Sequence, residues 1–158
     1  MSGNDRALQE ALGKALGALR RRERSVAEVH RWLRERGCDD ELAEEAVAEL
    51  VELGELDDER FAHAYAADKR ELAGWGPQRI AAALTERGVG TALAERAAAE
   101  PREDELERAI RLIAARGEDL DDDRGRARAL SHLTRRGYEY ELAYEAVRRA
   151  ERDRPRAA

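Results

Sequence analysis

The chain has 158 residues, of which 41% are charged and only 4% aromatic, and its formal net charge is −6. This charge content is well above the roughly 25% of an average globular domain, so several thin helical layers are expected rather than one large core. The negative net charge argues against a protein that coats bare nucleic acid by charge alone.

Apolar side chains spaced three or four residues apart predict nine helices and no strand. In chain order the predicted ranges are 5–22, 26–36, 40–53, 58–73, 77–87, 91–99, 103–116, 123–136 and 139–151. Several helix starts carry a local signal. Ser25 and Glu28 form a capping box, Asp39 can cap the following helix, and Pro77 stands at a first helical position.

Three segments, residues 29–47, 80–98 and 129–147, align on a central glycine between two helices. In each one a leucine stands four residues before the glycine and an alanine nine residues after it. The glycine is expected to supply the left-handed turn that ends the first helix, and the arginine before it suits a helix carboxyl end. The aligned pairs are Arg36–Gly37, Arg87–Gly88 and Arg136–Gly137.

This threefold repeat predicts an all-α protein in which three tandem three-helix modules, each similar to a helix-turn-helix unit, form an elongated curved array. Each module has too few large side chains to be stable alone, so neighbouring modules must stack. The expected modules are residues 1–54, with a short flexible amino terminus, residues 55–101 and residues 102–152. Residues 153–158 are expected to form a flexible tail.

The sequence carries no pattern typical of a catalytic, metal or cofactor site. The three histidines, His30, His63 and His132, are far apart, and Cys38 takes a repeat position that is apolar elsewhere. Phosphate-binding glycine loops and nucleotide fingerprints are missing from the sequence. We therefore expect a protein without enzymatic activity, cofactor or metal.

The sequence also predicts a cytoplasmic protein that does not enter a membrane. A single cysteine excludes an internal disulfide and suits a reducing compartment. No stretch approaches the roughly 20 apolar residues of a membrane span, and the amino terminus lacks the apolar core of a signal peptide.

The most distinctive segment is residues 53–89, LGELDDERFAHAYAADKRELAGWGPQRIAAALTERGV. It places Asp57, Asp58 and Phe61 ahead of Gly76 and Arg79. Together with RRRERSVAEVHRWLRERG before it and LTRRGYEYELAYEAV after it, this segment resembles the RecX family of recombination regulators. The resemblance runs in order over about residues 16–149.

The resemblance implies three-helix repeats that form a crescent. It also implies a partner, the RecA recombinase filament on single-stranded DNA, in whose helical groove the protein would restrain filament growth, ATP hydrolysis and strand exchange. The associated processes are homologous recombination, DNA repair and the SOS response. The chain departs from the family at Tyr138, where phenylalanine is usual.

Four arginines are candidates for contact with the partner: Arg20, Arg24, Arg70 and Arg79. Exchanging Arg70 and Arg79 for glutamate is expected to weaken filament binding and to leave helicity intact. Trp75, between two glycines, is either an exposed anchor for a partner or a residue folded back over the helix junction. The sequence predicts no apolar helix face that lacks a partner within the chain and would need a second copy to cover it, so a monomer is expected.

Two other functions fit the sequence. Each helix–glycine–helix pair resembles a helix-turn-helix unit, so the chain could be a tandem DNA-binding protein. Against this, the second helices of the first two pairs are acidic or alanine-rich and offer little to phosphates or base edges. The remaining alternative is a helical scaffold for an unrelated partner.

Overall fold

The computed structural model describes residues 1–154, and over these residues the chain consists of nine α-helices and no strand. The helices are α1 (Gly3–Arg21), α2 (Val26–Glu35), α3 (Asp40–Glu52), α4 (Asp58–Leu72), α5 (Pro77–Glu86), α6 (Thr91–Ala98), α7 (Arg102–Arg116), α8 (Asp123–Arg135) and α9 (Tyr140–Arg152). The predicted all-α class is confirmed. The predicted helix ends lie within two residues of the observed ends.

The helix starts follow the signals in the sequence. The Ser25 hydroxyl accepts the Glu28 amide at 3.1 Å, and the Glu28 carboxylate accepts the Ser25 amide at 3.0 Å, so the capping box is confirmed. Asp39 caps α3 by accepting the Leu42 amide. Pro77 is the first residue of α5. These contacts satisfy amide donors that a helix cannot satisfy itself.

All three repeat glycines end a helix in the same way. Gly37, Gly88 and Gly137 have φ angles of 92°, 89° and 96°. The residue after each glycine donates its amide to the carbonyl of the leucine five residues before it, which is the Schellman arrangement. The left-handed turn predicted at each glycine is confirmed.

The buried apolar side chains form three separate clusters, one for each group of three helices. Leu33 and Leu50 lie in the first cluster, Ile80 and Leu84 in the second, and Leu106 in the third. Within each group the third helix packs against the other two. The three modules therefore follow one another in an array, and each has a thin core of its own.

We propose that the modules divide close to residues 54 and 101. Leu56 still packs with the first cluster, and Pro101 directly precedes α7. Of the predicted tail, Asp153 and Arg154 follow α9, and residues 155–158 lie outside the described residues. None of the helices in residues 1–154 has both the length and the apolar character to cross a membrane.

A matched pair of leucines tests how much stability each thin core supplies. Leu84 is fully buried in the second cluster, whereas Leu72, at the end of α4, is 86% exposed. We expect Leu84→Ala to lower the free energy of unfolding by about 3 kcal/mol, because it leaves a cavity. Leu72→Ala should change it by less than about 0.5 kcal/mol. Urea denaturation followed by circular dichroism measures both, and equal effects would contradict the proposed second core.

Candidate functional site

The first and second modules meet where the Arg87–Gly88 turn docks on the start of α2, a contact named here the first junction. The Ser25 hydroxyl donates to the Arg87 carbonyl oxygen at 2.6 Å. The Arg87 guanidinium donates to both carboxylate oxygens of Glu28 at 2.9–3.3 Å. A Cβ at Gly88 would lie 2.4 Å from that of Ala27, so this approach requires glycine.

Glu28 is buried at the first junction, yet its carboxyl group stays charged. Burial alone would raise its pKa, but the Ser25 amide and the Arg87 guanidinium donate hydrogen bonds that hold the pKa of Glu28 below its usual value. The carboxylate that completes the capping box of α2 therefore also forms the ion pair between the two modules.

Two of the three distinctive residues near the start of α4 lie at the first junction. The Asp58 carboxylate accepts the Val26 amide at 2.8 Å, which links α4 to α2. Phe61 is buried, with the Arg87 guanidinium 4.7 Å from the centre of its ring. Asp57 serves its own module only, because it caps α4 by accepting the Arg60 amide.

The second and third modules meet in the same way at the second junction, where the Arg136–Gly137 turn docks on the start of α5. The Gly76 amide donates to the Arg136 carbonyl at 2.7 Å, and the Gln78 amide donates to the Gly137 carbonyl at 3.0 Å. A Cβ at Gly137 would lie 2.4 Å from the Cβ of Arg79. Both junctions thus join a helix start to an arginine–glycine turn.

Tyr138 strengthens the second junction. Its hydroxyl donates to the Gly74 carbonyl at 3.1 Å, and the Arg136 guanidinium donates to the Ala73 carbonyl beside it. Burial raises the pKa of Tyr138 to about 12, so the hydroxyl remains a donor at neutral pH. A phenylalanine at this position would lack the hydrogen bond.

Of the four predicted arginines, Arg79 lies closest to the second junction and is exposed. Its guanidinium lies 4.1 Å from the centre of the Trp75 ring, and the Lys69 ammonium lies 4.7 Å from the same centre. Trp75 is half-buried and packs against the second core. The structure thus folds Trp75 back at the junction and places two cations over its ring.

Arg70 is engaged within its own module. Its guanidinium donates to the Ala98 carbonyl at 3.1 Å and to the Ala97 carbonyl at 3.4 Å, at the end of α6. Its Nε atom lies 3.4 Å from a carboxylate oxygen of Glu100, and the side chain is only 16% exposed. The two carbonyl groups have no hydrogen-bond partner within α6, and the Arg70 guanidinium supplies one.

Arg20 and Arg24 lie in the first module. Arg20 is exposed in the last turn of α1. Arg24 is half-buried, with its guanidinium 5.9 Å from the centre of the Trp32 ring. Burial and the positive charge of Arg22 lower the pKa of Arg24. The four predicted arginines therefore lie at different features of the array and do not form one cluster.

The residues that the sequence did not identify are the partners across the junctions, above all Glu28 with Arg87. The arginine before each glycine was interpreted only as a favourable charge at a helix end. One signal was present in the sequence: Ser25 and Gly76 each stand 12 residues before a repeat glycine, so both helix starts occupy the same repeat position. That spacing shows that the two helix starts are equivalent, but it does not show that each contacts the turn of the next module.

Two family models match the chain in order. Residues 11–50 match the first three-helix domain of RecX, and residues 57–97 match the second three-helix domain of RecX. A protein named regulatory protein RecX from Xanthomonas campestris pv. campestris (strain B100) is 39% identical over 133 residues, covering 83% of this chain and 82% of the relative. The regulatory protein RecX of Stenotrophomonas maltophilia (strain K279a) is 38% identical over 149 residues, covering 93% and 88%.

Solved structures share the fold. The crystal structure of RecX from Lactobacillus salivarius superposes with a TM-score of 0.84 at 20% identity, covering 93% of this chain and 98% of that one. A second crystal structure of a regulatory protein RecX gives a TM-score of 0.78 at 20% identity, covering 92% and 73%. At this identity the likeness shows the fold of three-helix repeats.

The charge of Glu28 makes the first junction sensitive to pH. We expect Glu28→Gln to lower the free energy of unfolding by about 2 kcal/mol at neutral pH, since it removes a charged hydrogen-bonded pair. The folded-state pKa lies below the unfolded value of about 4.3, so the stabilisation is complete above that value and is lost as pH falls through the folded pKa. Urea denaturation from about pH 7 to about pH 3 should therefore show the two proteins converging in acid. A pH-independent difference would contradict the ionic role.

A pair of glycine substitutions separates backbone strain from loss of the second junction. Gly37 and Gly137 have nearly the same positive φ, but a Cβ at Gly37 would meet nothing within 4 Å. We expect Gly37→Ala to cost about 1 kcal/mol through strain alone. Gly137→Ala should cost about 2 kcal/mol more, because its methyl group collides with Arg79. Thermal and urea denaturation measure both, and equal costs would contradict the tight docking.

Proposed function

The chain belongs to the RecX family of regulatory proteins, and we propose that it binds the RecA recombinase filament on single-stranded DNA and restrains the filament's growth, ATP hydrolysis and strand exchange. The observation that carries the proposal is the family membership across the first two modules, with similarity over 93% of the chain to a protein named regulatory protein RecX. The proposed roles are in homologous recombination, DNA repair and the SOS response.

The architecture supports a partner with repeated subunits. Three modules joined end to end present a long surface, so several weak contacts can act at once and raise the overall affinity without any tight single site. A filament offers neighbouring copies of one subunit, which suits such a surface. We propose a monomer as the binding unit and the cytoplasm as its location.

The exposed charges suit a protein partner with surfaces of both signs. On α3 the exposed acids are Asp40, Glu41, Glu44, Glu45 and Glu52. At the second junction, Arg79 and Lys69 flank Trp75. We propose that the acidic face of α3 meets basic filament surface, and that Arg20, Arg24 and Arg79 meet acidic surface or DNA phosphate.

Arg70 stays in the proposed site, but its substitution is a poor probe of binding. A glutamate there removes the hydrogen bonds to Ala97 and Ala98 and places a second carboxylate beside Glu100. The change therefore acts on the second module as well as on any partner. Arg79 is an exposed residue whose guanidinium makes one long hydrogen bond, 3.5 Å to the Arg135 carbonyl oxygen, so it gives the cleaner test.

The alternative, a tandem helix-turn-helix protein that reads DNA, has less support. The exposed face of α3, which would be a recognition helix, is acidic and would repel phosphates. We propose regulation by binding, without catalysis and without a cofactor. Steep salt-dependent binding to bare duplex DNA would favour the alternative, whereas binding that requires the recombinase favours the proposal.

The proposal is tested by adding the protein to a RecA recombinase on single-stranded DNA and measuring ATP hydrolysis and strand exchange. We expect both activities to fall. Inhibition far below one copy per recombinase subunit would indicate a block at filament ends, and inhibition near one copy per few subunits would indicate binding along the groove. Unchanged activities, with no binding to the filament, would refute the proposed function.

In the same assay we expect Arg79→Glu to raise the inhibitory concentration about tenfold, because it places a negative charge where a positive side chain would meet acidic surface. The matched control is Arg6→Glu, which makes the same charge change at the exposed amino end of α1. Circular dichroism should show equal helicity for both. If the two variants inhibit alike, Arg79 does not belong to the binding surface.

A further inference from the structure

The Arg36–Gly37 turn of the first module, named here the open turn, has the same structure as the two turns that form the junctions. Gly37 has a φ of 92°, and the Cys38 amide donates to the Leu33 carbonyl, as at Gly88 and Gly137. Among residues 1–154, no helix start docks on the open turn.

The hydrogen-bonding groups that form the junctions are unused at the open turn. In the first junction the arginine carbonyl accepts a hydroxyl, and in the second junction the arginine and glycine carbonyls accept two amides. Within residues 1–154 the carbonyls of Arg36 and Gly37 accept no such bond. Carbonyls at a helix end need partners from outside the helix.

The space in front of the open turn is also unoccupied. A Cβ at Gly37 would meet no atom within 4 Å, whereas the same atom at Gly88 or Gly137 would lie 2.4 Å from the docked helix. The glycine that permits close docking is therefore kept at all three turns, and at one of them the described chain provides nothing that docks.

Two arginines lie beside the open turn at the ring of Trp32, while the exposed neighbours Glu35 and Asp39 are acidic. The Arg36 guanidinium lies 3.8 Å from the centre of the Trp32 ring, and Arg24 approaches the same ring at 5.9 Å. The Nε atom of Arg24 is buried and has no hydrogen-bond partner among residues 1–154. At the first junction the equivalent Arg87 guanidinium binds a carboxylate, whereas within the described residues the Arg36 guanidinium donates only to the Trp32 carbonyl.

We propose that the open turn binds the first turn of a helix of the recombinase, one that carries a carboxylate, in the way that the Arg87–Gly88 turn binds the start of α2. This inference rests on the proposed function, because it names the part of the partner that the first module contacts. The partner helix would donate its free amides to the Arg36 and Gly37 carbonyls. Its carboxylate would pair with Arg36 and extend toward Arg24.

Two other occupants fit less well. Nucleic acid has no suitable donors on its phosphates, which would face the unpaired carbonyls of the turn. A second copy of this chain would have to dock the start of its α8 on the open turn, because its α2 and α5 starts are already occupied. In α8, Gly125 takes the repeat position of Ser25 and Gly76. There α8 begins earlier, at Asp123, and a Cβ on Gly125 would lie 1.7 Å from the Asp119 carbonyl oxygen, so the chain's own loop covers that site.

The first experiment measures binding of the full-length protein to RecA filaments assembled on single-stranded DNA with a slowly hydrolysed nucleotide. We expect Arg36→Glu to weaken binding about tenfold and Arg36→Gln to weaken it less. Lys14→Glu, which makes the same charge change at an exposed site on α1, is the matched control and should bind like the wild type. Thermal denaturation checks that all three variants fold.

The second experiment identifies the occupant. In a Cys38→Val background, Glu35→Cys places a single thiol beside the open turn for a photoreactive label. Illumination on the filament should join the label to a recombinase peptide that contains the start of a helix with Asp or Glu in its first turn. A cross-link to DNA, or to a peptide without a helix start, would overturn the inference.

The outcomes separate the inference from the proposed function. If the wild type does not bind the filament, both fail. If the wild type binds and Arg36→Glu binds equally well, the inference fails and the proposed function stands. If Arg36→Glu loses as much affinity for bare single-stranded DNA as for the filament, nucleic acid is the occupant and the inference is overturned. A wild-type dimer that Arg36→Glu dissociates, seen by sedimentation, would overturn it in favour of a second copy.

Discussion

The array depends on one recurring contact, in which the carbonyl end of a helix–glycine turn receives the donor groups at the start of another helix. The last carbonyls and the first amides of a helix have no hydrogen-bond partner within that helix, so this contact satisfies both kinds of group. At the first junction the Ser25 hydroxyl donates, because the Ser25 amide is already taken by the capping box. At the second junction Gly76 has no side chain, and its amide donates directly. The geometry is kept while the donors change.

This contact also explains why thin modules are sufficient. Each module buries one small apolar cluster, and no cluster draws on the helices of more than one module. The junctions add polar bonds between residues about 60 positions apart, including the buried Glu28–Arg87 pair. Such a pair stabilises only while both charges are present and hydrogen-bonded, since either one alone would be buried without compensation. The array is therefore held by specific polar contacts and not by one continuous core.

A helix start docks on two of the three arginine–glycine turns and not on the third, so the first and third modules are not equivalent. In the third module the chain's own loop covers the position of Gly125, so no turn can dock there as it does at Ser25 and Gly76. In the first module Arg36 and Gly37 are exposed, and within residues 1–154 their carbonyls accept no backbone hydrogen bond. The first and third modules therefore differ in which docking groups they leave exposed. The exposed turn has the docking geometry that the chain already uses at its two junctions.

The sequence by itself determined the nine helices, their caps and the threefold repeat, because these depend on residues a few positions apart. Ser25 with Glu28 and the glycine after each arginine are local signals, and the structure places them as predicted. The distinctive residues near α4 supported the family, although nothing local indicated that Asp58 bonds to the Val26 amide. Only the tertiary structure decided which charges face a neighbour. Arg70 turns inward to the end of α6 while Arg79 remains exposed beside Trp75, because the direction of each side chain is set by the helix packed against it.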